Sequence, residues 1–161
     1  MPEKRTLDRA RADRRAGKAA STQAGEFIRE QIEHIRQGKH GARSTKQAIA
    51  IGLSEARRAG VDLPPPKSGK ASAQSQKQAA RDYARGQGVS DGNISRGKVS
   101  RKRSRSAEQA LKREGSQAAS AGSLARQARA AAARRSPAAR SASARQAART
   151  RKSEARDART R

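Results

Sequence analysis

The sequence contains no cysteine and no tryptophan, a single phenylalanine and a single tyrosine, and no long hydrophobic run. The lack of cysteine excludes disulfide bonds, thiolate metal sites and thiol nucleophiles, and it is typical of proteins in a reducing compartment. The lack of a long apolar run predicts that no segment spans a membrane or acts as a secretory signal. We therefore expect a soluble, cytoplasmic protein.

Large apolar side chains are also scarce. Leu, Ile, Val and Phe together make up 15 of the 161 residues, about 9%, whereas highly charged chains below about 20% are typically disordered. Most other hydrophobic residues are alanines, whose methyl groups bury too little area to offset the cost of ordering the chain. The composition predicts an all-α protein that is mostly disordered, in which a small two-helix hairpin precedes a long, basic, low-complexity tail with transient helices.

Charge is distributed unevenly along the chain, which carries a net charge of +25. Residues 96–161 hold 20 basic and 4 acidic residues, a net charge of +16, whereas residues 21–66 hold 7 basic and 5 acidic residues. This pattern predicts four parts: a basic N-terminal arm (1–20), the helical hairpin (21–66), a polar linker with a short helix (67–95) and an Arg/Ala-rich basic tail (96–161).

The hairpin is predicted from two apolar stripes at helical spacing. The first helix should end near Gly38, and the second should begin at Ser44, which forms a capping-box pattern with Gln47, and stop at Gly60. The facing stripes can bury each other, but the core is small, so dimerisation through the same faces would stabilise it. The predicted core residues are Phe27, Ile28, Ile32, Ile35, Ile49, Leu53 and Val61.

The excess positive charge of the tail predicts a polyanionic partner, because Lys and Arg release the counterions condensed on phosphates. The alternative is a solvated tail that serves only solubility. Arginine outnumbers lysine in the tail, which favours binding, since a guanidinium can hold a phosphate with two hydrogen bonds. The candidate nucleic-acid-binding residues are Arg96, Lys98, Arg101, Lys102, Arg103 and Arg105, together with Arg145, Arg149, Lys152, Arg156 and Arg159, which recur at the helical spacing of four and three.

Two phosphate-related motifs are weaker. Arg96-Gly97-Lys98 resembles a hook for the minor groove of DNA, but Val99 stands where proline is usual, so a solvated basic cluster is the simpler interpretation. Gly92, Gly97 and Lys98 match the spacing of a phosphate-binding loop, but Val99 also replaces the Ser or Thr that would hold magnesium. Neither motif predicts a nucleotide site.

The two histidines, His34 and His40, lie near Glu30 and Glu33 in the sequence. They straddle a helix end and lack a third linked ligand, so we expect surface histidines, no metal and no cofactor. A core of the predicted size cannot enclose a preorganised, water-excluding pocket. We therefore expect no enzymatic activity.

Residues 46–60, which read KQAIAIGLSEARRAG and follow the turn at residues 38–41, resemble small basic bacterial proteins of unknown function that share the Lys-Gln-Ala-Ile-Ala-Ile core. Those proteins are similar in having an Ala-, Lys- and Arg-rich tail of histone-like composition. The resemblance implies a bacterial, intracellular protein with a DNA-associated or plasmid-maintenance role. It implies no catalytic residues.

These observations predict a histone-like, nucleoid-associated protein that binds duplex DNA without sequence preference, through phosphate neutralisation by its tail. An RNA- or ribosome-associated basic protein would use the same residues. A third hypothesis is a protein-interaction hairpin that carries the tail as a tether. The near absence of aromatic residues disfavours a dedicated single-strand binder, because unpaired bases stack on aromatic side chains.

Overall fold

The computed structural model describes residues 1–67, 69, 71–88 and 100–159, which form seven α-helices and one short 3-10 helix, with no β-strand among them. The chain divides into two compact units, Met1–Ser123 and Leu124–Arg161. Within the described ranges, no helix combines the length and apolar character needed to cross a membrane. The elements are α1 (Lys4–Arg15), α2 (Ala20–Arg36), α3 (Thr45–Arg58), α4 (Ala73–Gly86), α5 (Arg101–Arg113), the 3-10 helix (Ser116–Ala119), α6 (Ala121–Ala133) and α7 (Pro137–Arg159).

Helices α2 and α3 pack against each other along small residues. A Cβ atom added to Gly52 of α3 would lie 2.7 Å from the Cα atom and 2.9 Å from the backbone nitrogen of Ile28 in α2. Ala24 of α2 and Ala48 and Ala56 of α3 are fully buried. Because these side chains are small, the two backbones approach more closely than larger residues would allow.

Local signals account for both ends of α3. Ser44 Oγ accepts a hydrogen bond from the backbone N–H of Gln47 at 3.2 Å, which confirms the predicted start of the helix. At the other end, Gly60 has a φ angle of +88°, and the backbone N–H of Val61 donates to the Ala56 carbonyl at 3.1 Å. This is a Schellman ending, which requires the left-handed conformation that glycine adopts without strain, and it confirms the predicted stop.

Two hydrophobic clusters bury this helix pair against other parts of the first unit. One cluster joins Ala10 of α1 to Phe27 of α2. The other joins Ala118 and Ala119 of the 3-10 helix to Ile35 of α2. The apolar faces that we expected to be buried by dimerisation are therefore covered in part by elements of the same chain.

Helix α4 is held on α3 by a buried carboxylate. Asp82 is only 2% exposed. Its two oxygens accept hydrogen bonds from the Ser54 hydroxyl at 2.6 Å and the Gln78 amide at 3.2 Å, and the Arg58 guanidinium lies 3.8 Å away. A carboxylate with these partners can be buried without a large desolvation cost.

The loop between α2 and α3 and the start of α3 are hydrogen-bonded to the end of α5 and to the 3-10 helix. The backbone N–H of Gly41 donates to the Leu111 carbonyl at 2.9 Å, and the Thr45 hydroxyl donates to the Ala118 carbonyl at 2.7 Å. Gly41 lies so close to Glu114 that a side chain at this position would overlap its backbone. These contacts fix the end of α5 beside the loop between α2 and α3.

The predicted fold class is wrong, although the all-α composition is correct. The chain is not a two-helix hairpin with an intrinsically disordered, low-complexity tail, because α1, α4 and the 3-10 helix pack on the hairpin. Helices α5, α6 and α7 occupy most of the described residues between 100 and 159. The division into four parts at residues 20, 66 and 95 stays a prediction, and residue 95 lies outside the described residues.

The error has one physical cause, which is the weight given to alanine. Among the described residues, eight of the eleven buried hydrophobic residues are alanines, so alanine builds much of the core that the count of large side chains excludes. Alanine also has the highest helix propensity, and arginine follows closely. Helix α7 has 23 residues, above the roughly 12–15 below which isolated helices are marginal, so local preference can order it without a large core.

The predicted core residues divide into two groups. The structure buries three of them and leaves the other four half-buried, because α2 and α3 also contact each other through alanine and glycine. The buried residues are Phe27, Ile35 and Val61, and the half-buried residues are Ile28, Ile32, Ile49 and Leu53.

Gly52→Ala should destabilise the protein, because the added Cβ would overlap the α2 backbone at Ile28. Overpacking of this kind costs about 1–3 kcal/mol. Gly25→Ala is the matched control, since a Cβ at Gly25 in α2 meets nothing within 4 Å and should stabilise the helix by about 0.5–1 kcal/mol. Urea unfolding followed by circular dichroism should show midpoints that move in opposite directions. A shared direction would contradict the close packing.

Ala148→Pro should reduce the helical ellipticity of the free, full-length protein at 222 nm, because a proline inside α7 costs about 3 kcal/mol. Ala148→Gln keeps a good helix former at the same position and should leave the spectrum unchanged. Identical spectra for the proline variant and the original protein would mean that α7 is not formed in the absence of a partner.

Candidate functional site

Basic residues recur along one side of α7, although the side chain of Arg159 is not among those described. Arg145, Arg149, Lys152, Arg156 and Arg159 follow one another at intervals of four and three residues, which places them within an arc of about 80° at 3.6 residues per turn. Arg145, Arg149, Lys152 and Arg156 are exposed. Together the five residues form what we call the cationic face of α7.

The sequence around α7 explains why it forms a helix at this place. Ser136 precedes the helix, and its hydroxyl oxygen accepts a hydrogen bond from the backbone N–H of Ala139 at 3.2 Å, as in an N-cap. Pro137 is the first helical residue, where its missing N–H is not needed and its fixed φ angle favours helix. The interior of the helix is rich in alanine and arginine, which need no tertiary partner to prefer this conformation.

Other basic residues of α7 lie away from the cationic face. Arg140 and Arg151 are both exposed and project about 120–140° from the centre of that face. The helix therefore carries positive charge on more than one side, but its longest aligned row is the cationic face. Arg140 and Arg151 therefore serve as control positions for substitutions in the cationic face.

The second predicted group of basic residues lies around the start of α5. Arg101, Lys102 and Arg105 are exposed in the first two turns. Arg103 lies in α5 but its side chain is not among those described, and Arg96 and Lys98 lie outside the described residues, as do the hook and loop motifs that contain them. Helix α5 belongs to the unit Met1–Ser123 and α7 to the unit Leu124–Arg161.

The helix α5 begins earlier than its capping pattern predicts. Ser106 and Gln109 suggest a helix that starts at Ser106, but α5 starts at Arg101, and the Ser106 hydroxyl donates to the Lys102 carbonyl at 2.9 Å. Positive charge in the first turn opposes the helix dipole. A bound anion near these residues would remove that unfavourable interaction.

A second cluster of chemically active side chains lies between α1 and α2. The His34 Nε2 atom is 3.0 Å from Glu3 Oε1 and 3.8 Å from Glu30 Oε1. The ligand atoms of Glu3, Glu30 and His34 all lie within 4.8 Å of one another, and we call this group the acid–histidine cluster. The Lys39 ammonium lies 3.3 Å from Glu3 Oε1.

The carboxyl groups around this cluster differ in electrostatic environment. A hydrogen bond from His34, and to a smaller extent one from Lys39, lowers the pKa of Glu3 below its ordinary value. Burial raises the pKa of Glu55 on α3, and the nearby negative charge of Glu30 raises it further. Glu55 Oε2 accepts a hydrogen bond from the Gln31 amide at 2.7 Å, which partly stabilises its charged form.

The sequence contains only part of the signal for the acid–histidine cluster. Glu30 and His34 are four residues apart on α2, a spacing that places them on one face. The third member, Glu3, lies outside α2 and comes close only because α1 packs there. The side chain of His34 is 16% exposed, so His34 is not the surface histidine that we expected.

The fold and its charge define a basic, all-helical protein with an exposed cationic helix. Within the chain, residues 11–68 are similar to a family described as a family of unknown function (DUF6496). The matched range contains α2, α3 and the last five residues of α1, and it ends before α4. No curated protein and no solved structure matches the chain.

Glu55→Gln should raise the midpoint of thermal unfolding at pH 7. The pKa of Glu55 is higher in the folded protein than in the unfolded chain. The free energy of unfolding therefore falls as the pH rises from below the unfolded pKa to above the folded pKa. The glutamine has no charge to bury and can still accept the Gln31 hydrogen bond. The gain over the original protein should disappear near pH 4, whereas Glu33→Gln, at an exposed position, should change little at either pH. A gain that is constant between pH 4 and pH 7 would contradict this account.

Proposed function

We propose that this protein binds nucleic acid without sequence preference, with duplex DNA as the partner, and that it acts as a histone-like, nucleoid-associated protein. The binding surface is the cationic face of α7. The proposal replaces the expected disordered tail with an ordered helix that presents aligned charges. Its supporting observation is the alignment of five basic residues on one side of a helix in a unit that cannot neutralise them itself.

The charge balance of the second unit supports a polyanionic partner. Residues 124–161 contain twelve basic and two acidic residues. Their described side chains are almost all exposed, and twelve basic against two acidic residues leave a net charge of +10. Phosphates would neutralise these charges and release condensed counterions, which is the main driving force of non-specific binding.

The dimensions of the cationic face suit a duplex. Arg145 and Arg159 are about 21 Å apart along the helix axis at about 1.5 Å per residue. A duplex carries one negative charge per about 1.7 Å of its axis, so a face of this length can contact several phosphates at once. An α-helix also fits the width of the major groove.

The composition of α7 favours contact with phosphates over base recognition. The residues between its cations are mostly Ala and Ser, which offer few contacts to base edges. The two aromatic residues are both in the first unit, where Phe27 is buried and the Tyr83 hydroxyl donates to Asp62 at 2.6 Å. Neither provides a platform for stacking unpaired bases.

Binding to a random-sequence duplex should weaken steeply with salt. If all five residues of the cationic face contact phosphates, the slope of log K against log salt should be negative, with a magnitude of about 4.5 or more. Fluorescence anisotropy at several salt concentrations measures this slope. A slope near zero would overturn the electrostatic mechanism.

Arg149→Gln combined with Lys152→Gln should reduce the magnitude of that slope by about 2 and weaken binding by roughly 100-fold at about 0.1 M salt, because two phosphate contacts are lost. The control combines Arg140→Gln with Arg151→Gln, which removes the same charge from the other side of α7. The control should lose much less affinity. Equal losses in the two variants would show that total charge, and not the cationic face, determines binding.

Competition between duplex DNA and ribosomal RNA at fixed salt tests the choice of nucleic acid. Under our proposal the DNA duplex retains the protein, and preferential transfer to RNA would instead favour a ribosome-associated role. Failure to bind either polymer in dilute buffer would leave a protein-interaction role for the first unit and would contradict the proposal.

A further inference from the structure

We propose that the acid–histidine cluster, formed by Glu3, Glu30 and His34, is a binding site for a divalent transition-metal cation, with Zn²⁺ as the best-fitting ion. The bound cation would connect the residue that precedes α1 to the C-terminal half of α2. The proposal concerns the first unit and is independent of nucleic-acid binding by α7.

The three ligand atoms already lie close to a metal-binding arrangement. Zinc binds imidazole nitrogen and carboxylate oxygen at about 2.0–2.2 Å, so ligand atoms around a tetrahedral ion are about 3.3 Å apart. The His34 Nε2 atom is 3.0 Å from Glu3 Oε1 and 3.8 Å from Glu30 Oε1. All three ligand atoms lie within 4.8 Å of one another, so small side-chain movements would place them around one ion.

The buried carboxylate of Glu30 is the second, independent observation. Glu30 is 5% exposed. Its Oε1 atom accepts a hydrogen bond from the backbone N–H of Glu3 at 2.9 Å, but its Oε2 atom is buried and has no hydrogen-bond partner. A buried carboxylate oxygen without a partner is costly, and a cation bound by this carboxylate would remove the cost.

The surrounding charges also favour a cation. Glu30 lies near enough to Glu55 for its negative charge to raise the pKa of Glu55. Neutralising Glu30 with a metal ion would weaken this repulsion across the α2–α3 interface. The contrast is Asp82, a buried carboxylate whose oxygens accept hydrogen bonds from Ser54 and Gln78 and which therefore has no need of an ion.

The ligand set indicates the kind of ion. One imidazole and two carboxylates suit zinc and other late first-row divalent metals, whereas magnesium and calcium prefer oxygen ligands alone. Three protein ligands leave a fourth position for water or another molecule. His40 is not a ligand in this arrangement, because its two ring nitrogens lie 3.1 Å from the Gly41 carbonyl and the Gln31 amide oxygen.

Lys39 would compete with the metal. Its ammonium lies 3.3 Å from Glu3 Oε1 and is half exposed, so it can move into solvent when an ion binds. In the metal-free state it supplies part of the positive charge that the two carboxylates require. Removing this ammonium should therefore strengthen metal binding, which is the opposite of what a purely structural ion pair predicts.

Isothermal titration of the tag-free, full-length protein with ZnCl₂ tests the proposal. We expect one Zn²⁺ per chain, a rise in the thermal unfolding midpoint with Zn²⁺, and tighter binding at pH 8 than at pH 6, because protons compete for the ligands. Mg²⁺ at the same concentration should produce neither heat nor stabilisation. Absence of a Zn²⁺-dependent change in both measurements would overturn the proposal.

Matched variants identify the ligands. Glu30→Gln should weaken Zn²⁺ binding at least tenfold, whereas Glu33→Gln, on the exposed side of the same helix, should bind like the original protein. Glu3→Gln changes a side chain that is 41% exposed, so it should fold normally and still lose at least tenfold in affinity. Equal affinities in Glu3→Gln and Glu33→Gln would reject the site.

Two further variants separate this site from adventitious binding. Lys39→Gln should bind Zn²⁺ several-fold more tightly, and His40→Gln should keep the original affinity. Loss of binding in His40→Gln would reject the assigned ligand set. Titration with Co²⁺ gives a second readout, since its visible absorption reports coordination directly, and the absorption should be lost in Glu3→Gln.

Discussion

The close approach of α2 and α3 is the constraint on which the first unit depends. Gly52 brings the backbone of α3 against Ile28, and buried alanines on both helices keep the gap narrow. With few large side chains available, such close packing is the way this chain gains dispersion contacts. The helices α1 and α4 and the 3-10 helix then pack on the pair, so a displacement of α2 from α3 would disturb each of them.

Polar groups determine how the outer elements are placed on this pair. Asp82 is buried with hydrogen-bond donors from α3 and α4 and therefore orients α4. Glu30 is buried between α1 and α2 with one oxygen satisfied and one without a partner. The two carboxylates show how the same fold can use one buried charge for architecture and leave another free to bind a ligand, because the cost of burial depends on the number of partners.

The two candidate sites differ in how far the sequence could predict them. The cationic face of α7 follows from the spacing of basic residues alone, because a regular helix converts intervals of four and three into one face. For the acid–histidine cluster, the spacing of Glu30 and His34 was visible, but the position of Glu3 was not. That ligand arrives through the packing of α1, which no local pattern encodes.

Sequence alone was enough to predict the all-helical class, the capped start and the glycine stop of α3, and the concentration of positive charge near the carboxyl end. Each of these properties depends on neighbours within a few residues, or on counting. Only the folded structure shows the rest: how alanines replace large side chains in the core, and which distant carboxylate meets His34. These outcomes depend on the free energy of contacts between residues far apart in the chain, where small side chains gain their effect only when a second backbone comes close.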